Sequence, residues 1–325
     1  MTVDHSDVSV IICAFNAAAT IRDTITTLQE QSLRPAQILV IDDGSSDGTV
    51  SVVREAVDSD PTIQLIVNAH NQGTARSRQK GIEAADNELV MFFDADDLAH
   101  PSLIGTLAER LLSDPDCMGA SCYATYFDET GNLGVQRIGA LNREEFLNSW
   151  RAGKLYFQSI VTLSYRSLML RAGGFRQNIY ENNEGIRYED YAEDLDLWCR
   201  MSDFAEEGRY FVSVPEPLFK YRKPMGSLST RNLKLMQLKM RWIKDCLKRR
   251  RAGQQERSLE RFISSRTLWE RLSDRRSDLA ATFYKRAGFA WMTRDWLRLI
   301  LFLSLSGLFS PKLIRQKIRS QAISR

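Results

Sequence analysis

Three clusters of carboxylates stand out in the sequence, because acids crowded together in a folded chain need a reason. They are Asp42-Asp43-Gly44-Ser45-Ser46-Asp47-Gly48, then Asp94-Ala95-Asp96-Asp97, then Glu189-Asp190 followed by Glu193-Asp194-Leu195-Asp196-Leu197-Trp198. In the second, Asp94, Asp96 and Asp97 repel one another unless a cation sits among them. A hard divalent ion, Mg²⁺ or Mn²⁺, is the natural partner, since it takes one or two carboxylates and completes its shell with substrate phosphates, neutralising a diphosphate as it leaves. A solvated acidic loop capping a helix that begins near Pro101 is the alternative. In the first cluster, two acids at a strand end, followed by a glycine turn and a helix start, suit hydrogen bonds to a ribose or a base edge. Asp, Ser and Gly are equally turn formers, with Asp47 as an N-cap. The third cluster mixes acids with apolar residues, and on a helix Asp194, Leu197 and Trp198 share one face. Apolar surroundings raise the basicity of a carboxylate, which then serves as a general base toward a hydroxyl. An ion pair of Asp194 with Arg200 or another arginine is the competing reading.

These clusters must be held by regular elements. Residues 7–115 alternate apolar runs with helical patterns: Val8–Phe15 then Ala17–Gln31, Gln37–Ile41 then Asp47–Asp58, Ile63–Val67 then Gly73–Ala85, Leu89–Phe93 then Pro101–Ser113. Continuous apolar strands such as Leu89–Phe93 imply burial on both faces, hence a mainly parallel sheet covered by helices. Ligands in such sheets bind at the carboxyl ends of the strands, where the first two clusters stand. Residues 116–230 carry shorter candidates. These are a strand over Met118–Phe127, a turn over Glu129–Gly134, and Thr162–Tyr165 leading into a helix ended by Gly173-Gly174. A strand over Tyr210–Val214 is expected to stop at Pro215. From residue 231 the pattern is helical and rich in arginine. The chain of 325 residues, 43% hydrophobic and 26% charged, is ordinary for a folded protein of more than one domain.

The order of the pieces, a strand into DDGSSDG, a strand into DADD, then Gly173-Gly174-Phe175 and EDLDLW, resembles glycosyltransferase family 2 with its GT-A fold. The opening VSVIICAFN, the stretch Asn71-Gln72-Gly73 through Arg78 and Gly81, and Tyr221-Arg222 followed by Ser227 and Ser229 add to it. The resemblance covers residues 7–230, within a catalytic domain read as 1–230, in which 7–115 serves the nucleotide-sugar and 116–230 the acceptor. It implies an inverting, non-processive, metal-dependent hexosyltransferase using a nucleotide-sugar, with uridine diphosphate the expected carrier. Carried over by position, Cys13, Ala14 and Phe15 line the base and Asp43 contacts it. Arg78, Asp94 and Arg222 serve the nucleotide-sugar, Asp96 and Asp97 the Mn²⁺ or Mg²⁺. Asp194 becomes the catalytic base and Glu193 positions it. Two positions depart from the family pattern: Gln79 stands where Asn is common, and Lys223-Pro224 where a His often appears. The second departure bears on the metal or diphosphate contact the family makes with that loop, where Arg222 and Lys223 can serve the diphosphate electrostatically instead.

Residues 231–325 carry 24 Lys and Arg against 7 Asp and Glu, whereas residues 1–230 carry 20 against 34. A basic helical region suits phosphates. Its apolar run Leu299–Leu305, flanked by Arg294, Trp296, Arg298 and Lys312, is too short to span a bilayer but suits an interfacial helix. Packing of these residues on the catalytic domain is the alternative. A membrane surface and a glycan or lipid-linked acceptor are therefore the expected partners, and nucleic acid is not, since no nucleic-acid motif accompanies the charge. Five scattered cysteines without a C-x-x-C pattern argue against disulfides or structural zinc, and the first residues lack the features of a secretory signal. The expected location is the cytoplasm, peripheral on the inner face of its membrane. No G-x-G-x-x-G follows Val8–Phe15, which disfavours a dinucleotide-dependent oxidoreductase. Gln237-x-x-x-Arg241-Trp242 has one residue too many for the Q-x-x-R-W of processive synthases. A non-catalytic nucleotide-sugar or membrane-binding module on the same fold is the remaining alternative.

Overall fold

The protein is described by a computed structural model over residues 6–180, 186–222, 232–292 and 294–311. Lys223, Pro224, Ser227, Ser229 and Lys312 lie outside the described residues. The chain forms two compact units, Met1–Met225 with Met240–Glu256, and Gly226–Lys239 with Arg257–Arg325.

In the first unit, β1 (Ser6–Ala14), β2 (Pro35–Asp42), β3 (Ile63–Val67) and β4 (Leu89–Asp94) form a parallel block in the order β3-β2-β1-β4. The crossovers are α1 (Ile21–Gln29), α2 (Thr49–Ser59) and α3 (Thr74–Ala84). The continuous apolar runs are explained by this arrangement: Val10, Ile11, Ile12, Leu39, Val40, Phe92 and Phe93 are all buried, each burial worth about 1.5–3 kcal/mol relative to exposure. The short β5 (Leu98–Ala99) and α4 (Leu103–Leu112) follow, then β6 (Cys117–Asp128), β7 (Gly131–Gln136), α5 (Arg143–Arg151), β8 (Thr162–Tyr165) and α6 (Arg166–Arg171). After a 3-10 turn at Tyr188–Asp190 come α7 (Glu193–Met201) and β9 (Tyr210–Arg222). The sheet continues as β4-β8-β6-β9-β5, with β7 on β6. Its second half is mixed: β8 is antiparallel to β4 and β6, while β9 runs parallel to β6. The expected α/β architecture is the one found.

The turn expected over Glu129–Gly134 is largely strand β7, which pairs with β6 from Gly131 onward, and two other departures bear on the site. The helix after β1 begins at Ile21 and not at Ala17, because the Ala17 and Ala18 amides donate to Thr49 Oγ1 (2.8 Å) and Asp47 Oδ2 (3.1 Å), holding this stretch as a turn against the loop after β2. Strand β9 does not stop at Pro215 but continues to Arg222. The pairing with β6 jumps from Cys122–Val214 to Tyr123–Pro217 and shifts again before Ala124–Phe219, so Pro215 falls in the bulge and Pro217 between two register shifts, positions that tolerate proline in a strand. This extension carries Arg222 to the site.

Helix α8 (Leu233–Arg251) passes from the second unit into the first. The second unit also holds α9 (Leu259–Ser264), α10 (Leu268–Met292) and α11 (Trp296–Phe309), the basic helical extension expected from the charge.

Candidate active site

The register of the parallel strands puts the first two acid clusters level. Cys13 on β1 lies opposite Asp94 on β4, and Ala14 opposite Asp42 on β2. Phe15, one residue beyond the strand, is half exposed, an apolar ring presented at the sheet's carboxyl edge. Burial pushes the Cys13 thiol up to about 12, so it presents a neutral wall and no nucleophile.

Asp43 is buried and heavily engaged: Oδ1 accepts from Asn68 Nδ2 (2.9 Å) and the Gln72 amide (2.9 Å), and Oδ2 from the Gly73 amide (2.8 Å). It therefore clamps the Asn71–Gly73 segment, with one Oδ2 lone pair left over. Neighbouring Asp42 accepts from the Gly44 and Ser45 amides through Oδ1 (3.2 and 3.0 Å), while its Oδ2 is buried without a hydrogen-bond partner. Asp47 acts structurally, accepting from the Thr49 amide (2.9 Å) at the start of α2.

The second cluster turns tightly after β4, the Asp97 amide donating to the Asp94 carbonyl (3.2 Å). Arg222 closes over it: its amide donates to Asp97 Oδ1 (2.9 Å) and its Nε to the Asp96 carbonyl (3.0 Å), while its guanidinium lies 4.6 Å from the Phe127 ring centre. Burial, with the charge of Asp94, pushes Asp96 up to about 6 and raises Asp97 as well. Asp97 Oδ2 is buried with no partner. The cluster is thus short of positive charge. Among the described residues no group of three or more His, Cys, Asp or Glu side chains is placed to hold a metal ion by itself. A donor set of one or two carboxylates plus an unpaired oxygen fits Mg²⁺ or Mn²⁺ completed by substrate phosphates.

The third cluster meets the second through one side chain. Arg78, on α3 and buried, bridges Asp94 Oδ1 (3.0 Å) and Glu193 Oε1. Burial opposes its charge, but Glu193 and Asp94 outweigh that and raise its pKa. Glu193 and Asp194 open α7 just after Ala192, a non-glycine residue in the left-handed region (φ 51°), a strained conformation of the kind held at functional sites. Burial raises both carboxyls, with Arg78 opposing in each case. Asp194 makes no ion pair among the described residues. The arginine weighed as its partner, Arg200, instead binds Asp196 (Nε–Oδ2 3.1 Å).

Several supporting contacts, some made by residues already named, were not among the expectations. Asp190 accepts from the Ala75 amide (3.0 Å) and pairs with Arg187 (3.1 Å), whose guanidinium also holds Asn71. Gly73 has φ +100°, and a Cβ there would strike the Asp190 carboxylate. Gln79 Oε1 accepts from the Phe175 amide (2.8 Å), tying α3 to the Gly173-Gly174 turn. Below the acids, Asp196 on α7 also pairs with Arg176 (3.1 Å), Arg176 with Glu256 (2.6 Å), and Glu256 with Arg250 (2.5 Å). Arg250 and Arg251 both pair with Asp203 (2.8 and 2.7 Å), and Arg250 Nη2 donates to the Cys199 carbonyl (3.2 Å). The end of α8 thereby braces the helix that carries Asp194. Clusters of acids were the visible signal, and their arginine partners lay far off in sequence.

The family model described as glycosyl transferase family 2 matches residues 9–176. An uncharacterized glycosyltransferase of Haemophilus influenzae is 30% identical over 220 residues, 66% of this chain and 65% of the relative. A cholesterol galactosyltransferase of Borreliella burgdorferi is 27% identical over 220 residues, 63% of this chain and 59% of the relative. The chain thus covers less than two thirds of these curated relatives. Among solved structures, the mannosyltransferase PcManGT from Pyrobaculum calidifontis, in complex with GDP-Man and Mn²⁺, superposes with a TM-score of 0.53 at 19% identity, over 94% of this chain and 86% of that one. TarS 1-349 of S. aureus, in complex with UDP-GlcNAc, also gives 0.53, at 14% identity over 91% and 90%. These likenesses concern the fold.

Proposed function

From the premise that the chain belongs to glycosyltransferase family 2, we propose that it is an inverting, non-processive glycosyltransferase that moves a hexosyl group from a nucleotide-sugar to an acceptor hydroxyl. The observation that carries this reading is the Arg78 bridge, which brings Asp94 at the end of β4 and Glu193 at the start of α7 onto the two terminal nitrogens of one guanidinium. Cys13, Ala14 and Phe15 line the base. Asp43 contacts the nucleotide through its remaining lone pair, and uridine diphosphate is the carrier. Asp94 and Arg222 bind the diphosphate-sugar, and Asp96 and Asp97 hold Mn²⁺ or Mg²⁺, which when bound offsets the charge of the leaving diphosphate.

Asp194 takes the proton of the acceptor hydroxyl as that oxygen bonds to the anomeric carbon, and the bond from that carbon to the diphosphate oxygen breaks on the opposite face. The nucleoside diphosphate departs and the configuration inverts. Burial supports this assignment, because a carboxyl raised above its usual range is a better base near neutrality. Glu193, fixed by Arg78, positions Asp194. The acceptor is a lipid-linked or polysaccharide-pathway glycan, and the basic C-terminal helices bring the enzyme to a membrane surface on its cytoplasmic side. Among the described residues no helix is long and apolar enough to cross a membrane.

The test is to follow the anomeric configuration of the product by NMR with a UDP-hexose panel and a glycan acceptor. An inverted product formed by the wild type and not by Asp194→Asn supports the reading. A retained configuration, or undiminished turnover of the variant, overturns it.

A further inference from the structure

The second unit contains a helical hairpin whose two outer sides differ in chemistry. The seam between α10 and α11 is fixed by contacts: Ser306 Oγ donates to the Ala280 carbonyl (2.8 Å), Phe283 stacks on Phe302 and Phe309 (6.2 and 5.8 Å between centres), and Arg276 Nε donates to the Phe309 carbonyl (2.6 Å). With about 3.6 residues per turn, the side of α11 opposite Phe302, Ser306 and Phe309 carries Leu297, Ile300, Leu301, Ser304 and Leu308. The apolar four of these are 84%, 64%, 54% and 69% exposed. By the same spacing, the side of α10 away from the seam carries Arg271, Asp278 and Lys285. The outer side of α11 is apolar and uncovered, whereas that of α10 carries charge, although Leu268, Trp269, Leu272 and Leu279 of α10 are exposed as well.

We infer that the Leu297–Ile300–Leu301–Leu308 face of α11 is a lipid-docking surface that lies in the plane of an anionic membrane. This rests on the membrane reading given above and names its contact. Three observations fix the occupant. A helix of 14 residues is about 21 Å long, short of the ~30 Å hydrocarbon core, so it lies along the interface. Trp296, half exposed at the start of the apolar face, is suited to the headgroup boundary. The segment from residue 294 to 325 carries seven Lys and Arg against Asp295 alone. Two such segments repel each other, which disfavours a second copy as the cover, whereas anionic headgroups attract them.

The experiment is sedimentation of the full chain with vesicles of phosphatidylcholine alone and of phosphatidylcholine with phosphatidylglycerol, for wild type and for the double variants Leu297→Lys/Leu301→Lys and Leu297→Ser/Leu301→Ser. The wild type is expected to bind the anionic vesicles. Both variants are expected to bind at least about tenfold more weakly, since each buried leucine contributes the equivalent of roughly tenfold or more in affinity. The lysine variant is decisive, because added positive charge strengthens attachment made by charge alone. Undiminished or tighter binding of that variant overturns the apolar docking face while leaving membrane attachment standing. No binding by the folded wild type overturns the membrane reading itself. A wild-type dimer dissolved by the serine variant, without vesicle binding, assigns the face to a second copy and overturns the proposal. The serine pair keeps the test open if lysines disturb the hairpin.

Discussion

The two units solve opposite problems with the same apolar residue types. In the first, Val, Ile and Phe vanish between sheet and helices, and what gathers at the strand ends is a set of buried and half-buried carboxylates, Asp94 and Glu193 among them held by Arg78. In the second, Leu and Ile remain outside on α11, with Arg294 and Arg298 near its start in the sequence and no sheet to fix a site. On the proposed function, the difference separates where turnover and attachment would reside. Chemistry needs groups fixed to fractions of an ångström, which β1, β4, α3 and α7 provide. Attachment to a fluid surface needs only area and charge. Substitutions in the first unit should therefore change turnover, and those on α11 should change location.

The largest expected effect sharpens that division at its strongest point. Asp194→Asn should lower kcat by roughly 10²- to 10⁴-fold, the usual worth of a general base, with the dissociation constant for nucleotide-sugar little changed in calorimetry. Next, Asp96→Ala should weaken donor binding in the presence of Mn²⁺ by about tenfold or more, ~1.4 kcal/mol, and the loss should disappear when metal is withheld from both proteins.

A third prediction tests whether the brace from α8 belongs to the first unit. Burial works against the Glu256 charge, but hydrogen bonds from Arg176 and Arg250 outweigh it and hold its carboxyl at about 2, below the ordinary value of 4.5. A lowered folded-state pKa gives stability that is present above the unfolded value and lost as pH falls toward the folded one. Discounted for its partial exposure to solvent, Glu256→Gln should accordingly cost on the order of 1 kcal/mol at pH 7, a fall of roughly 2–4 °C in Tm. The gap should close between pH 4.5 and pH 2 in thermal melts. A gap unchanged down to pH 2 would contradict the brace. The smallest effect is expected on the other side of the comparison: Leu297→Lys/Leu301→Lys should leave kcat on a soluble acceptor within about twofold and stability within ~0.5 kcal/mol, as surface substitutions do. A large loss of turnover there would break the division.

How much of this was legible differs between the same two regions. The parallel block was readable because Val8–Phe15 and Leu89–Phe93 have no polar alternation, and the acids after them fall at strand ends by simple counting. The loop before α1 was not, because its amides are taken by Asp47 and Thr49 from another crossover. Pro215 misled for a related reason: the bulge that absorbs it depends on β6, nearly a hundred residues earlier in the chain. In the site, the order of acid clusters was plain, whereas the Arg78 bridge, the Arg187–Asp190 pair and the Arg176–Glu256–Arg250 chain depend on distant pieces meeting. Asp43 was read as a ligand contact, and its three protein hydrogen bonds became visible only with the fold. The apolar run near residue 300 was evident, but which of its residues face α10 and which face outward required the seam.

The most direct test of the strand-end site is a calorimetric titration of the full chain with UDP-hexoses, each in Mn²⁺, Mg²⁺ or chelator. Saturable, metal-dependent binding of one nucleotide-sugar, weakened in Asp96→Ala and preserved in Asp194→Asn, is the predicted result. Absence of binding by well-folded protein, or binding indifferent to metal and to Asp96, would contradict the account.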